Sequence, residues 1–155
     1  KLSSTQLFDL LSDQLTRFME LCEQHEMSMT YLKPHGALYH DMMYKPEVFD
    51  VFCQVLKHHN PKLSLVVQAG IEQQYFEQTA KNFSINVIYE AFADRGYRGN
   101  KLIPRTEDSA LLREPEHIVR QFHQLSETKT MRVDTVCFHS DNPASILALQ
   151  LLKSQ

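Results

Sequence analysis

Four short stretches hold the side chains best suited to chemistry. LKPHGALYH carries Lys33, His35 and Tyr39; YEAFADRGY carries Glu90, Asp94 and Arg95; LIPR ends in Arg105; CFHSDNP carries His139 and Asp141. Imidazoles and carboxylates move protons near neutral pH or ligate metals. Lysine and arginine hold a carboxylate, a carbonyl or a phosphate. Together these types suit acid/base work beside an anion clamp.

Each residue also has a plain structural reading. Lys33 at the end of a strand is a solvated charge or a cation for a ligand. His35 is either a packed imidazole or a proton carrier, and Gly36 next to it serves the backbone through positive φ or a close approach. Tyr39 is a boundary aromatic whose hydroxyl could orient a ligand. Glu90 follows the apolar run INVIY, where a carboxylate needs a partner. Arg95 is the candidate partner, and Arg105 is a second clamp or an exposed charge. His139 and Asp141 are two positions apart, which in an extended segment puts them on one face. Asp141 serves equally as a helix cap.

These stretches need elements to deliver them. Leu7, Leu11, Leu15, Phe18 and Cys22 recur at helical spacing, and Ser3 with Gln6 fits a capping box. MSMTYL (27–32) reads as a strand. A helix follows over 45–59, with Pro46 in its first turn and Val48, Phe52, Val55 and Leu56 on one face. LSLVVQ (63–68) and INVIYEAF (85–92) read as buried strands on either side of a helix over 71–82. Residues 93–112 read as a long irregular connection. Pro115 starts a helix with Ile118, Phe122 and Leu125 inward, VDTVCFH (133–139) is a fourth strand, and Asn142 with Pro143 opens the last helix. The order is a helix and then four β-α repeats. Continuously apolar strands in such an order suit a parallel sheet, either open or part of a larger βα barrel. In both, function sits at the carboxyl ends of the strands. Three of the four expected strand ends carry clustered ionisable groups, whereas helix-to-strand junctions such as HHNPK look like ordinary turns.

Composition excludes several classes. The 155 residues suffice for one domain with a core, and no linker or low-complexity boundary divides them. A net charge of −3 gives no sign of a nucleic-acid or acidic-membrane partner. No apolar run reaches the length of a membrane span. Cys22, Cys53 and Cys137 are isolated and odd in number, and are expected to be reduced thiols of a cytoplasmic protein. Only four glycines are present, none in a Walker spacing, and no Gly-x-Ser-x-Gly elbow occurs. The chain opens on Lys1 and not Met, as expected of a fragment or a processed product.

The motifs LKPHGALYH, EAFADRGY, LIPR and CFHSDNP, in this order and spacing, resemble the LamB/YcsF family, from about Tyr31 to the end and with the first helix also fitting. The resemblance implies a partial (βα) barrel of the glycoside hydrolase/deacetylase type, with about four parallel strands and flanking helices, as one domain over 1–155. It implies ATP-dependent opening of the lactam 5-oxoproline to glutamate, with ATP as cosubstrate and with 5-oxoprolinase subunits B and C as partners. The family positions matched here are Lys33, His35, Gly36, Tyr39, Glu90, Asp94, Arg95, Tyr97, Pro104, Arg105, His139, Asp141 and Asn142. Ser140 replaces the glycine that usually follows the motif histidine, and the glycine usual after the Pro-Arg pair is missing around Ser109. The family's opening acidic strand end and its second motif, with a His and an Asp, are absent. The likeness is thus to the C-terminal part of the barrel.

By residue type, His35, Glu90, Asp94, His139 and Asp141 form the acid/base or metal set. Lys33, Arg95 and Arg105 form the anion-holding set, with Tyr39 as a substrate contact. Whether a divalent metal joins them stays open. Two other readings compete: a metal-dependent deacetylase-like hydrolase, and a non-catalytic remnant acting as an interaction module.

Overall fold

The computed structural model describes residues 2–154. It shows an α/β chain in the expected order. Helix α1 (Ser4–Gln24) is followed by β1 (Tyr31–Leu32), α2 (Gly36–Tyr44), α3 (Pro46–His59), β2 (Ser64–Gln68), α4 (Gln73–Asn82) and β3 (Val87–Phe92). A small hairpin, β4 (Tyr97–Arg98) and β5 (Lys101–Leu102), and a 3-10 turn at Asp108–Ala110 come next. The chain ends with α5 (Pro115–Glu127), β6 (Thr135–Cys137) and α6 (Pro143–Lys153). The main sheet has the order β1-β2-β3-β6, the β-α alternation expected of part of a βα barrel.

Contacts gather the chain into two compact units, 1–67 with 74–88, and 68–73 with 89–155. In the first, β1 pairs parallel with β2, Tyr31 opposite Ser64, and the Leu65 N–H donates to the Asn86 carbonyl at 2.8 Å. The Ser3 hydroxyl accepts from the Gln6 N–H and the Gln6 side chain reaches back to Ser3, so the capping box forms. Leu11 and Leu15 are the buried face of α1, which packs against α3. Pro46 occupies the first turn of α3, where its missing N–H costs nothing. Phe49, Phe52, Cys53 and Leu56 of α3 are fully covered, and Phe49 meets Phe76 of α4 edge-on with centroids 4.8 Å apart. Burying a side chain of this size contributes ~2–3 kcal/mol. Burial also pushes the Cys53 thiol up to about 12, with Asp50 adding to the shift. The three cysteines are free.

In the second unit β3 pairs parallel with β6, Glu90 opposite Thr135 and Phe92 opposite Cys137. The Ala69 N–H donates to the Glu90 carbonyl at 2.8 Å. Helices α5 and α6 pack on each other over a core of Ala93, Ile118, Val119, Ala144 and Ala148. Asn142 caps α6 by accepting from the Ala144 N–H, and Pro143 takes the first helical position.

Four local expectations change, one of them being that the strand expected over 133–139 keeps only Thr135–Cys137 and leaves His139 in the turn beyond it. The strand expected over 27–32 shrinks to Tyr31–Leu32, because Met27 and the polar Ser28 are exposed and Met29 is only half-buried, so they cover no pleated surface. The stretch after Gly36 is a separate helix, α2, cut from α3 by the extended backbone of Lys45 before Pro46. The connection over 93–112 is not irregular throughout: Gly99, at φ +61°, turns a two-residue hairpin inside it.

Candidate functional site

The carboxyl ends of β3 and β6 in the second unit build the best-organised polar cluster. β3 ends at Phe92 and the chain runs directly into Asp94, which is wholly buried. β6 ends at Cys137, and His139 follows two residues later. Parallel pairing sets the two ends side by side, and the Ala93 N–H still donates to the Cys137 carbonyl at 2.9 Å. The His139 Nδ1 then lies 2.8 Å from Asp94 Oδ1. Asn142 Nδ2 donates to Asp94 Oδ2 at 3.3 Å and to the Leu112 carbonyl at 2.9 Å. The Phe92 ring stacks on the His139 ring, with 5.3 Å between centroids and 13° between planes.

The electrostatics follow from these contacts. Burial pushes the Asp94 carboxyl up, but the hydrogen bond and charge of His139, with help from Asn142, outweigh it. The buried Ser145 hydroxyl adds to the pull, although it is in hydrogen-bond geometry with no partner. Asp94 therefore ionises below the usual carboxylate value. An ionised carboxylate only accepts, so His139 Nδ1 carries the proton that joins them. The outer nitrogen, Nε2, is left as the acceptor. His139 keeps 24% of its side-chain surface exposed while Asp94 keeps none, so a ligand can reach the imidazole but not the acid behind it. This arrangement can take a proton and stabilise the resulting imidazolium. It equally suits a metal-ligating histidine oriented by a carboxylate. Among the described residues, no three His, Cys, Asp or Glu side chains group closely enough to hold a metal ion.

Arg95 points into the loop. Its Nε donates to the Ala110 carbonyl and its Nη2 to the Ile103 carbonyl, both at 2.9 Å. Burial pulls its pKa down, the charge of Arg105 adds to that, and Asp94 and Tyr97 oppose it. The buried guanidinium thus ties the hairpin segment to the end of β3, while the exposed Arg105 stands near enough to be felt. Tyr97 accepts from the Phe92 N–H at 2.9 Å; burial drives its hydroxyl up to about 12, against the pull of that bond and of Arg95. Glu90 is buried on β3, and its charge also reaches Tyr97.

Asp141 departs from expectation in geometry. The chain after His139 is a turn, closed by the Asn142 N–H on the His139 carbonyl at 3.3 Å, so the one-face spacing of an extended segment does not apply. Asp141 is exposed in that turn, and Asn142, not Asp141, caps α6.

In the first unit, the end of β1 presents Lys33, His35 and Tyr39. Lys33 lies 5.9 Å from the centroid of the Tyr39 ring, at the limit of a cation–π contact. His35 is exposed at the N-cap of α2, makes no capping hydrogen bond, and is followed by Gly36 at φ +61°. Lys33 and His35 border a cavity of 570 Å³ whose other walls include Leu11, Leu15, Phe52 and Val55.

Residue-type reasoning missed Gln121 and Phe92. Gln121 bonds three carbonyls around Asp94. Its signal was a polar side chain on the inward stripe of Ile118, Phe122 and Leu125. Phe92 carried no signal beyond being apolar.

The LamB/YcsF family model matches residues 1–155. The A subunit of 5-oxoprolinase from Vibrio vulnificus (strain CMCP6) is 31% identical over 156 residues, covering 94% of this chain and 62% of that protein. The A subunit of 5-oxoprolinase from Vibrio cholerae (strain M66-2) is 30% identical, covering 99% of this chain and 66% of that protein. A crystal structure of a lactam utilization protein from Thermus thermophilus shares the fold, with a TM-score of 0.83 at 24% identity over 99% of this chain and 66% of that one. The chain spans less than two thirds of the length of these relatives. It belongs to the LamB/YcsF family.

Proposed function

We propose that this chain forms part of the A subunit of a 5-oxoprolinase, which opens the lactam 5-oxoproline to L-glutamate with ATP as cosubstrate. It works in the cytoplasm with subunits B and C. The observation that carries the reading is the imidazole of His139 held by the buried Asp94 carboxylate at the ends of two parallel strands. The relatives named as the A subunit of 5-oxoprolinase supply the substrate class. No helix of the described residues is long and apolar enough to cross a membrane.

A lactam carbonyl is a poor electrophile. Phosphoryl transfer from ATP to its oxygen activates it and releases ADP. Water adds to the carbon, and the ring C–N bond breaks as the nitrogen gains a proton, leaving an acyl phosphate on the opened chain. A second water hydrolyses that acyl phosphate to glutamate and inorganic phosphate. His139 Nε2 takes the proton of the attacking water and returns it to the departing nitrogen. Asp94 fixes the tautomer and steadies the imidazolium. Within the second unit Glu90 and Asp141 complete the acid/base set and Arg105 holds the developing oxyanion. In the first unit Lys33, His35 and Tyr39 offer a cation, an imidazole and a hydroxyl to a ligand of the same chemistry. Arg95 acts on the anion through Arg105 and the loop it braces. A divalent metal, if the complex uses one, would meet His139 at Nε2 and would supply Lewis acidity there.

The test is isotope-detected conversion of 5-oxoproline to glutamate with ATP and bacterial subunits B and C. Asp94→Asn keeps the shape of the pair and reverses the hydrogen-bond logic, and is expected to cut turnover by about 10²–10⁴-fold. Glutamate formation that survives in Asp94→Asn and in His139→Gln would sink the assignment.

A further inference from the structure

Gln121 sits on α5 with its side chain turned to the end of β3. Its Nε2 lies 3.1 Å from the Phe92 carbonyl, 2.8 Å from that of Ala93 and 2.7 Å from that of Arg95. A side-chain amide has two protons to give, so three carbonyls share them and at least one bond is bifurcated. All three belong to the backbone that surrounds Asp94. One belongs to Phe92, whose ring lies on His139.

Buried carbonyls at a strand end need donors, and the cost of leaving them without is high. A helix stripe of Ile118, Gln121, Phe122 and Leu125 has positions i, i+3, i+4 and i+7, all facing inward. An amide at the second of these gives up apolar burial. The return is a clamp on a turn that carries one carboxylate and one stacking ring, both addressed to the same imidazole.

We infer that Gln121 is a positioning residue for the His139–Asp94 pair. It touches no reacting atom. It holds the backbone of 92–95 so that the Asp94 carboxylate meets Nδ1 while the Phe92 ring lies flat on the imidazole. Without the clamp the turn has several conformations and His139 loses its single orientation. This inference rests on the reading of His139 as the proton-transferring group and extends it to α5.

The test reads the geometry and not turnover. The imidazole Nδ1–H of His139 bonded to a buried carboxylate gives a downfield ¹⁵N-coupled proton resonance, identified by its loss in His139→Gln. Gln121→Met keeps the side-chain length and removes the donors. The expected result is a folded chain, by its methyl spectrum, in which that resonance is broadened away. Gln124→Met, on the exposed side of the same helix, keeps it. Gln121→Glu lacks a donor at neutral pH and regains one O–H when its carboxyl is protonated, so the resonance returns on mild acidification. That variant also decides the matter if Gln121→Met does not fold. A resonance unchanged in Gln121→Met, or absent at every pH from a folded Gln121→Glu, overturns the inference and leaves Gln121 a packing residue. No substrate is present, so failure to open the lactam would leave this result standing. Absence of the resonance from the wild-type chain would instead remove the pair itself.

Discussion

The end of β1 and the ends of β3 and β6 carry the same kinds of side chain in opposite settings. At β1, His35 is exposed and its cap position makes no side-chain hydrogen bond. At β3 and β6, Asp94 is wholly buried and is met by His139 and Asn142, with Gln121 behind the backbone. The first end presents an exposed imidazole that no side-chain hydrogen bond fixes at its cap position. The second has already met the entropy cost of alignment during folding, which is what the proposed proton transfer would require. Equal residue types therefore imply unequal roles: preorganisation resides in the second unit.

Removing one side chain from each end should separate them most widely. Asp94→Ala strips a buried hydrogen-bonded carboxylate from its partners and is expected to cost ~3 kcal/mol in urea unfolding. His35→Ala, at an exposed position, should stay within about 0.5 kcal/mol. The difference should depend on pH with a definite sign. The Asp94 carboxyl is held below its ordinary value of 3.8, so its contribution is fully present above that pH and is lost as pH falls through the lower folded value. The gap between wild type and Asp94→Asn should therefore narrow only in acid below pH 3.8. A gap that is flat across that range would mean that the pair does not hold the charge.

How far this contrast could be read from the sequence depends on the kind of signal. Helices α1, α3, α5 and α6 announce themselves by apolar spacing and by Ser3, Pro46, Pro115 and Asn142 at their starts, because capping is a local transaction between neighbours. Helix α2 has no such opening, since His35 does not cap it and its first residue is Gly36 at positive φ. The pairing of Asp94 with His139 joins residues 45 apart in sequence, so residue type nominates both but only the β3–β6 register joins them. Gln121 was hidden for the same reason. Its three partners lie 26 to 29 residues away, so a polar side chain on an apolar stripe marks it as unusual but does not say what it holds. Asp141 shows the reverse error: an alternation rule valid for strands was extended past the end of β6 into a turn.

The glycines offer a second, smaller contrast. A Cβ at Gly96 would stand 2.1 Å from the Ser109 carbonyl oxygen and 3.0 Å from Ile103 Cδ1. That backbone cannot yield freely, because the Gly96 N–H donates to Ala110 and its carbonyl accepts from Ile103. Gly96→Ala is expected to cost ~3 kcal/mol and to loosen the loop that Arg95 braces. A Cβ at Gly36 meets nothing within 4 Å, so only its φ of +61° resists a side chain. Gly36→Ala should cost ~1 kcal/mol. Thermal unfolding of the two variants gives the comparison, and equal losses would mean that the loop is not closely packed.

The helix caps give the finest test. Ser3 and Asn142 both satisfy an N-terminal amide, but Ser3 is exposed and its bonds stay within its own capping box with Gln6. Replacing it with alanine should remove ~0.5–1 kcal/mol. Asn142 caps α6 and also donates to Asp94 and to the Leu112 carbonyl. Asn142→Ala should therefore cost ~2 kcal/mol, because it removes a cap and two donors at once. Asn142→Asp keeps the acceptor for the Ala144 N–H, removes both donors and sets a second negative charge against Asp94. If the cap were all that Asn142 provides, Asn142→Asp would be as stable as wild type near pH 7. If its donors to Asp94 matter, this variant should be less stable than Asn142→Ala at that pH and should recover ground in acid, where one of the two carboxyls takes a proton. That ordering distinguishes a residue that ends a helix from one that also holds the charge beside His139.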